Sequence, residues 1–190
     1  MEKIIIVPTG VSPFKKELTN EKTRLSILQI AFSKDHYEIS DYELRQSKKD
    51  KNPSYTINTL KFLTKKSPSS FVLIMGSDAL ATINRWYQWE MILNYCHILV
   101  VSRKEDDLKV NGLEPKVFDF VTKHKIDKLE DLSIKDKGGI YFAKFPLLPF
   151  SSTDIRTKMS QKKSIENLVT PEVSDFIKKT ASYTSDGHKI

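Results

Sequence analysis

Short apolar runs alternate with amphipathic segments along this chain. Strands are predicted where the runs are β-branched, continuously apolar or alternating, at residues 4–7, 37–44, 71–75, 98–101 and 140–145. The run at 71–75 is apolar at every position and ends at Gly76, which is typical of a central parallel strand buried on both faces.

Apolar residues at helical spacing predict helices between these strands. The predicted helices span residues 21–32, 55–63, 78–95 with a break near Asn84, 115–125, 154–161 and 171–180. Repeated strand–helix units predict an α/β fold with right-handed crossovers, a mostly parallel sheet and helices on both faces. We expect one domain over residues 1–183, with a peripheral insertion at 105–139 and a frayed tail at 184–190.

The composition is that of an ordinary globular protein. The chain has 190 residues, of which 39% are hydrophobic and 29% charged, enough for one domain with a full core. No apolar run is long enough to span a bilayer, and the N-terminus lacks the pattern of a signal peptide. Cys96 is the single cysteine and lies in an apolar segment, so we expect a buried thiol in a cytoplasmic protein.

The net charge of +7 is compatible with nucleic-acid binding and with a small anionic substrate. Only five of the 31 Lys and Arg residues are arginines, and the lysines are spread along the chain. Polyanion binding is better signalled by clustered, Arg-containing patches, so a solvated surface and a small substrate such as a nucleotide fit this pattern better. The four histidines form no spaced ligand pair with each other or with Cys96, so no protein metal site is predicted.

Residues 150–156 carry the densest candidate chemistry. Three hydroxyl side chains, Ser151, Ser152 and Thr153, precede a predicted helix, with Asp154 in its first turn and Arg156 just behind. A helix N-terminus favours anions, hydroxyls can donate to phosphate oxygens, and an arginine can bind two of them. The alternative is an ordinary N-cap, which in isolation is the more common use of such residues.

Other polar residues follow the carboxyl ends of the predicted strands, where open α/β sheets bind ligands. They are Thr9 and Gly10 with Lys15 and Lys16, Asp41 with Glu43 and Arg45, Gly76 with Ser77 and Asp78, and Ser102 with Arg103. Glycine permits close backbone approach, acids bind ribose hydroxyls, and basic groups and hydroxyls bind phosphate. Together with residues 151–156, these residues predict a site for a phosphate-bearing ligand. The P-loop pattern and the dinucleotide pattern G-x-G-x-x-G are both absent from the sequence.

Four blocks spread over the chain carry a family resemblance. The first is I-V-P-T-G at 6–10 with S-P-F-K at 12–15, and the second is D-Y-E-L at 41–44 with P-S-Y-T-I-N-T-L at 53–60. The third is I-M-G-S-D at 74–78 followed by Trp86, Trp89 and Glu90, and the fourth joins V-V-S-R at 100–103 to S-S-T-D-I-R at 151–156. The chain thereby resembles the bacterial nicotinate-nucleotide adenylyltransferases. The Ser-Ser-Thr block is shared with other nucleotidyltransferases, whereas the second and third blocks are more particular to this family.

The resemblance implies a Rossmann-like nucleotidyltransferase that transfers the adenylyl group of ATP to nicotinate mononucleotide, with Mg²⁺ accompanying ATP and a homo-oligomer as a candidate assembly. It implies that ATP binds at Gly76, Asp78, Arg103, Ser151, Ser152, Thr153 and Arg156. It implies that nicotinate mononucleotide binds at Thr9, Lys15, Tyr55, Thr56 and Trp86. From the residues alone, Tyr55 and Thr56 are equally well a helix start, and Trp86 and Trp89 can serve helix packing.

The chain departs from the family pattern in two places. Phe14 stands where the family has a histidine, beside a retained Lys15. The family opens with a strand and a G-x-F-x-P-x-H-x-x-H loop whose histidines stabilise the transferred group, and Met1 falls after that strand–loop–helix unit. We therefore expect a sheet that lacks its first strand and a protein with little adenylyltransferase activity. The catalytic residues are not identified from this sequence, because the family's histidines belong to that unit.

Two alternatives to this enzyme stay open at the level of sequence. One is a sister adenylyltransferase that acts on nicotinamide mononucleotide or phosphopantetheine, and the other is an inactive nucleotide-binding remnant. A basic RNA-binding protein fits less well, because the sequence has neither an aromatic RNA-binding pattern nor an arginine cluster.

Overall fold

The computed structural model describes residues 3–13, 20–50, 52–102, 112–143 and 150–180. The chain divides into two compact units, which we call the first unit (residues 1–54 and 150–190) and the second unit (residues 55–149). Each unit has its own parallel sheet and its own apolar core. The single domain over 1–183 stays a prediction, and the tail at 184–190 lies outside the described residues.

Strands and helices alternate along the described chain, as the apolar pattern predicts. In chain order they are β1 (Ile4–Ile6), α1 (Glu21–Ala31), β2 (Tyr37–Ile39), α2 (Tyr42–Asp50), α3 (Thr56–Lys66), β3 (Val72–Gly76), α4 (Ser77–Ala81), two 3₁₀ turns (Ile83–Arg85 and Trp89–Asn94), β4 (His97–Val101), α5 (Pro115–His124), α6 (Asp131–Ile134), β5 (Ile140–Ala143), α7 (Ser152–Ser160) and α8 (Pro171–Thr180). The helices predicted at 21–32, 115–125, 154–161 and 171–180 are confirmed.

The first unit joins a two-stranded sheet to a helical core. Strands β1 and β2 run parallel, with Ile4 opposite Tyr37. Helices α1 and α8 enclose the buried residues Ile165, Val173 and Ile177, each at most 4% exposed. Burying three such aliphatic side chains stabilises the unit by about 1.5–3 kcal/mol each.

The second unit is built on the parallel sheet β3-β4-β5. Its core is formed by apolar residues of the sheet and of the flanking helices and turns, among them Ile57, Leu60, Met75, Ile83, Ile92, Ile98, Val100, Val117, Val121 and Ile140. Val117 and Val121 come from α5, within the segment 105–139 that was expected to be a peripheral insertion, and both are fully buried. Helix α5 is therefore part of this core.

Two predicted strands differ from the structure. The strand predicted at 37–44 ends at Ile39, and α2 begins at Tyr42, because the Asp41 carbonyl accepts a helical hydrogen bond from the Arg45 N–H at 3.0 Å. Strand β3 is not buried on both faces, since Val72 is 38% and Ile74 is 50% exposed. Val72 and Ile74 are two residues apart and share one face of the strand, whereas Met75 on the other face is 6% exposed, so among the described residues only the Met75 face is well covered.

The helix predicted at 78–95 is instead a succession of short turns. Helix α4 gives way to the 3₁₀ turn Ile83–Arg85, and a second 3₁₀ turn starts at Trp89. Between them Gln88 adopts the left-handed conformation, with φ 53° and ψ 38°, which redirects the chain. No helix in the described ranges is long and apolar enough to cross a membrane.

Candidate functional site

The residues predicted to bind the two nucleotides fall in both units, and each unit is described by itself. Thr9, Ser151, Ser152, Thr153 and Arg156 belong to the first unit, whereas Tyr55, Thr56, Gly76, Asp78 and Trp86 belong to the second. Lys15 and Arg103 lie outside the described residues.

In the first unit, hydrogen bonds anchor the loop after β1 to two helices. The Arg24 guanidinium donates a hydrogen bond from Nη1 to the Thr9 carbonyl at 2.7 Å, and the Val11 N–H donates to Ser47 Oγ at 2.8 Å. A Cβ on Gly10 would collide with Ser47 Oγ and the Glu43 carbonyl, so only glycine lets this loop approach α2 so closely. The loop that carries Thr9 is therefore anchored to both α1 and α2.

A cavity of about 280 Å³ opens beside this loop. It is lined by Gly10, Val11, Asn20, Glu21, Arg24, Ser47 and Lys48. Lys48 forms an ion pair with Glu21 at 2.8 Å. The sequence interpretation assigned no role to Arg24 or Lys48, because neither residue belongs to one of the four sequence blocks.

The start of α7 is a reciprocal capping box. Ser151 Oγ accepts a hydrogen bond from the Asp154 N–H at 3.3 Å, and Asp154 Oδ2 accepts from the Ser151 N–H and hydroxyl, both at 2.6 Å. The N-cap interpretation of Ser151 is thus confirmed. Ser152, Thr153 and Arg156 are exposed in the first turns of the helix. The hydroxyl of Ser151 is hydrogen-bonded to Asp154, whereas the side chains of Ser152, Thr153 and Arg156 are exposed to solvent and accessible to a ligand.

In the second unit, the carboxyl ends of β3 and β4 bring four polar or small residues together. Gly76 lies opposite Val101 in the register, and Ser77 Oγ donates to the buried Ser102 Oγ at 3.3 Å. The Asp78 carboxylate folds back over Gly76, where a Cβ would collide with it. Gly76 and Asp78, both from the third sequence block and both predicted to bind ATP, therefore have their backbone and side-chain atoms close together.

The predicted nicotinate-nucleotide residues of this unit lie at the start of α3 and at the end of the first 3₁₀ turn. Tyr55 is the N-cap residue of α3 and Thr56 its first residue, so the helix-start interpretation is confirmed for both. Trp86 ends the first 3₁₀ turn and packs partly buried against the core. Trp89 packs edge-to-face on Phe120, with centroids 4.8 Å apart, which confirms its role in packing. Tyr87, which the sequence interpretation missed, contacts Tyr55 with its ring tilted by 40° and the centroids 4.8 Å apart.

Cys96 and His97 are fully buried next to this sheet. Burial raises the pKa of the Cys96 thiol to about 12, so it is protonated and unreactive, as the sequence predicted for a buried thiol. Within the described ranges, no group of three His, Cys, Asp or Glu side chains is arranged to hold a metal ion.

The comparisons with known proteins agree with this architecture. A family model described as cytidylyltransferase-like matches residues 1–158. A probable nicotinate-nucleotide adenylyltransferase from Psychromonas ingrahamii is 33% identical over 185 residues, which cover 96% of this chain and 84% of the relative. The chain belongs to the nicotinate-nucleotide adenylyltransferase family. A second relative with this name, from Yersinia pestis, is 30% identical over 192 residues and is covered over 82% of its length.

Two solved structures share the fold of this nicotinate-nucleotide adenylyltransferase family member. The nicotinic acid mononucleotide adenylyltransferase of Plasmodium falciparum, complexed with NaAD, matches with a TM-score of 0.65 and 19% identity over 96% of this chain and 83% of that chain. The same enzyme complexed with APC matches with a TM-score of 0.62 and 18% identity. The predicted nucleotidyltransferase fold with parallel strands and helices is thereby confirmed.

Proposed function

We propose that this chain transfers the adenylyl group of ATP to nicotinate mononucleotide, producing nicotinate adenine dinucleotide and pyrophosphate in NAD biosynthesis. The observation that carries the proposal is the 33% identity to a named relative across 96% of this chain. The phosphate oxygen of nicotinate mononucleotide forms a bond to the α-phosphorus of ATP as the bond to pyrophosphate breaks. Such a transfer needs positioning and charge stabilisation rather than a covalent enzyme intermediate.

The ATP side of the proposal rests on α7 and on the carboxyl end of β3. The first backbone N–H groups of α7 have no partner within the helix and carry partial positive charge, which suits phosphate oxygens. The exposed hydroxyls of Ser152 and Thr153 and the guanidinium of Arg156 can add hydrogen bonds there. The carboxylate of Asp78 is of the right kind to accept hydrogen bonds from ribose hydroxyls.

The acceptor side rests on aromatic and polar residues near the start of α3. Tyr55 and Trp86 are partly buried aromatic residues, a type that suits a flat pyridine, and Thr56 has a hydroxyl for a polar contact. Thr9, in the anchored loop of the first unit, and Lys15 are proposed to contact the mononucleotide as well. We expect these residues to determine the preference for nicotinate over nicotinamide mononucleotide.

Mg²⁺ is proposed to arrive with ATP rather than to occupy a protein cage. The described residues offer no three-residue ligand cluster, and Mg²⁺ commonly binds through substrate phosphates and water. When bound, it neutralises phosphate charge. We also propose a cytoplasmic location, which the fully buried, unpaired Cys96 supports.

The proposal is tested by measuring pyrophosphate release and, separately, equilibrium binding by calorimetry. ATP is paired in turn with nicotinate mononucleotide, nicotinamide mononucleotide and phosphopantetheine. Preference for the nicotinate substrate supports the proposal, and preference for another acceptor identifies a sister transferase. Binding of ATP and nicotinate mononucleotide without turnover identifies a nucleotide-binding remnant, and binding of neither contradicts the proposed substrates.

A further inference from the structure

The loop that carries Thr9 has little apolar packing to hold it in place. Residues 9–13 form no helix or strand, and none of them is buried. Val11, the apolar side chain at the centre of this loop, is 42% exposed. The cavity of about 280 Å³ borders the same loop, so open space rather than packed side chains lies beside it. The position of the loop therefore depends mainly on its hydrogen bonds.

Hydrogen bonds from three different segments hold the backbone of this loop. The Arg24 guanidinium, on α1, donates to the Thr9 carbonyl at 2.7 Å. Ser47 Oγ, on α2, accepts from the Val11 N–H at 2.8 Å. The Val11 carbonyl accepts from the Ser54 N–H, in the segment before α3, at 2.7 Å. Of these bonds, the one from Arg24 acts on Thr9 itself, and a bond from a charged donor is the stronger kind.

We propose that Arg24 is a positioning residue for the acceptor substrate, acting through Thr9. Its guanidinium holds the Thr9 carbonyl and thereby sets where the Thr9 side chain lies. The inference rests on the proposed function, in which Thr9 contacts nicotinate mononucleotide, and adds to that site a residue that does not itself touch the substrate. Supporting contacts of this kind matter because a binding group that is displaced by about 1 Å weakens its site.

The competing interpretation is that Arg24 only joins α1 to the loop and stabilises the fold. Both interpretations predict a lower melting temperature for Arg24→Ala, because a hydrogen bond is lost. They differ in the substrate affinity of the folded protein. Stabilisation alone leaves both affinities unchanged, whereas positioning weakens the binding of the mononucleotide and leaves the binding of ATP intact.

The test compares calorimetric affinities of the full chain for nicotinate mononucleotide and for ATP, each titrated alone well below the melting temperature. Arg24→Ala should weaken mononucleotide binding by about 3- to 10-fold, the range of one ordinary hydrogen bond, and leave ATP affinity within about twofold. Arg24→Lys, which keeps a charged donor, should recover part of the loss. Lys22→Ala, which removes an exposed positive charge from the same helix, is the matched control and should change neither affinity.

A double-mutant cycle shows whether Arg24 acts through Thr9. Thr9→Ala removes the side chain proposed to contact the mononucleotide and keeps the backbone carbonyl that Arg24 binds. In the Thr9→Ala background, Arg24→Ala should therefore lower the mononucleotide affinity by less than about twofold further. A purely structural role of Arg24 would not produce this dependence on Thr9.

Ser47→Ala is the second variant, for the case in which Arg24→Ala does not fold. It frees the Val11 N–H of the same loop and should also weaken mononucleotide binding without changing ATP affinity. An effect of Ser47→Ala on neither affinity or on both would count against the inference.

The inference is overturned if Arg24→Ala binds the mononucleotide as tightly as the unchanged protein does, a result that keeps the proposed function. It is also overturned if the affinities for both substrates fall together, or if the losses of Arg24→Ala and Thr9→Ala are additive. Failure of the unchanged protein to bind the mononucleotide overturns the proposed function and this inference with it.

Discussion

His97 Nδ1 accepts a hydrogen bond from the backbone N–H of Gly139 at 3.0 Å. Since that nitrogen accepts, the proton of the neutral ring lies on Nε2, which donates to the Lys135 carbonyl at 2.7 Å. The ring is fully buried. A single histidine on β4 therefore satisfies two backbone groups of the segment that precedes β5.

We expect His97→Ala to lower the free energy of unfolding by about 2–4 kcal/mol, because it orphans two backbone groups and leaves a cavity. His97→Gln, which retains a donor and an acceptor, should lose less. Urea denaturation measures both. His36→Ala, at an exposed histidine of the first unit, is the control. A loss for His97→Ala no larger than that of the control would contradict the bridging role.

Cys96 should make stability depend on pH above neutrality. Burial raises the pKa of its thiol from an ordinary 9.0 to about 12, so between these values the unfolded chain releases a proton that the folded chain keeps. The contribution of Cys96 is complete below pH 9 and is lost as pH rises toward 12, by about 1.4 kcal/mol per pH unit. The measurement is the difference in unfolding free energy between the unchanged protein and Cys96→Ala from pH 8 to 10. A constant difference across this range would rule out the raised pKa.

Two serines of the first unit should respond oppositely to alanine. Ser174 Oγ is buried in α8 and, within the described part of the chain, has no hydrogen-bond partner. Ser174→Ala should therefore be neutral or up to about 1 kcal/mol stabilising. Ser151→Ala removes the N-cap of α7 and should cost about 1 kcal/mol. Thermal denaturation measures the stability of both variants. A clear loss of stability in Ser174→Ala would mean that the Ser174 hydroxyl has a hydrogen-bond partner.

Gly76→Ala should act through Asp78. The added methyl group meets the end of a flexible carboxylate, so the fold should survive while the Asp78 side chain is displaced. If Asp78 binds the ribose, ATP affinity should fall by about 1.5–3 kcal/mol, as for a hydrogen bond to a charged group. The double variant with Asp78→Ala should lose no more than Asp78→Ala alone. Additive losses of ATP affinity would mean that Gly76 contributes to ATP binding independently of Asp78. Asp119→Ala, on α5, is the control for the loss of an acidic side chain.

Arg156→Ala should weaken ATP binding by about 1.5–3 kcal/mol with little effect on folding, because Arg156 is exposed one turn into α7. Calorimetric titration of ATP measures the affinity, and thermal denaturation measures the folding. Lys163→Ala removes an exposed positive charge just beyond α7 and serves as the control. If Arg156→Ala and the unchanged protein bind ATP with equal affinity, Arg156 does not contact the ATP phosphates.

Local signals in the sequence were sufficient for most elements. The β-branched run at 4–7 predicts β1, and Pro171 at a first turn predicts the start of α8. Ser151 and Asp154, three residues apart, encode a capping box that needs no distant partner. Sequence blocks also identified the family, because residue types at fixed spacing survive where overall identity is only 33%.

Tertiary structure alone decided which surfaces are covered and which distant groups meet. The apolar run of β3 does not reveal that Ile74 is half exposed, since the burial of a strand face depends on whether another element packs over it. The ring contact between Tyr55 and Tyr87 joins residues 32 positions apart, and the hydrogen bond from Gly139 to His97 joins residues 42 positions apart. Periodicity reports the local backbone conformation of a segment, whereas such contacts arise only when separate elements pack, so they could not be predicted from the pattern along the chain.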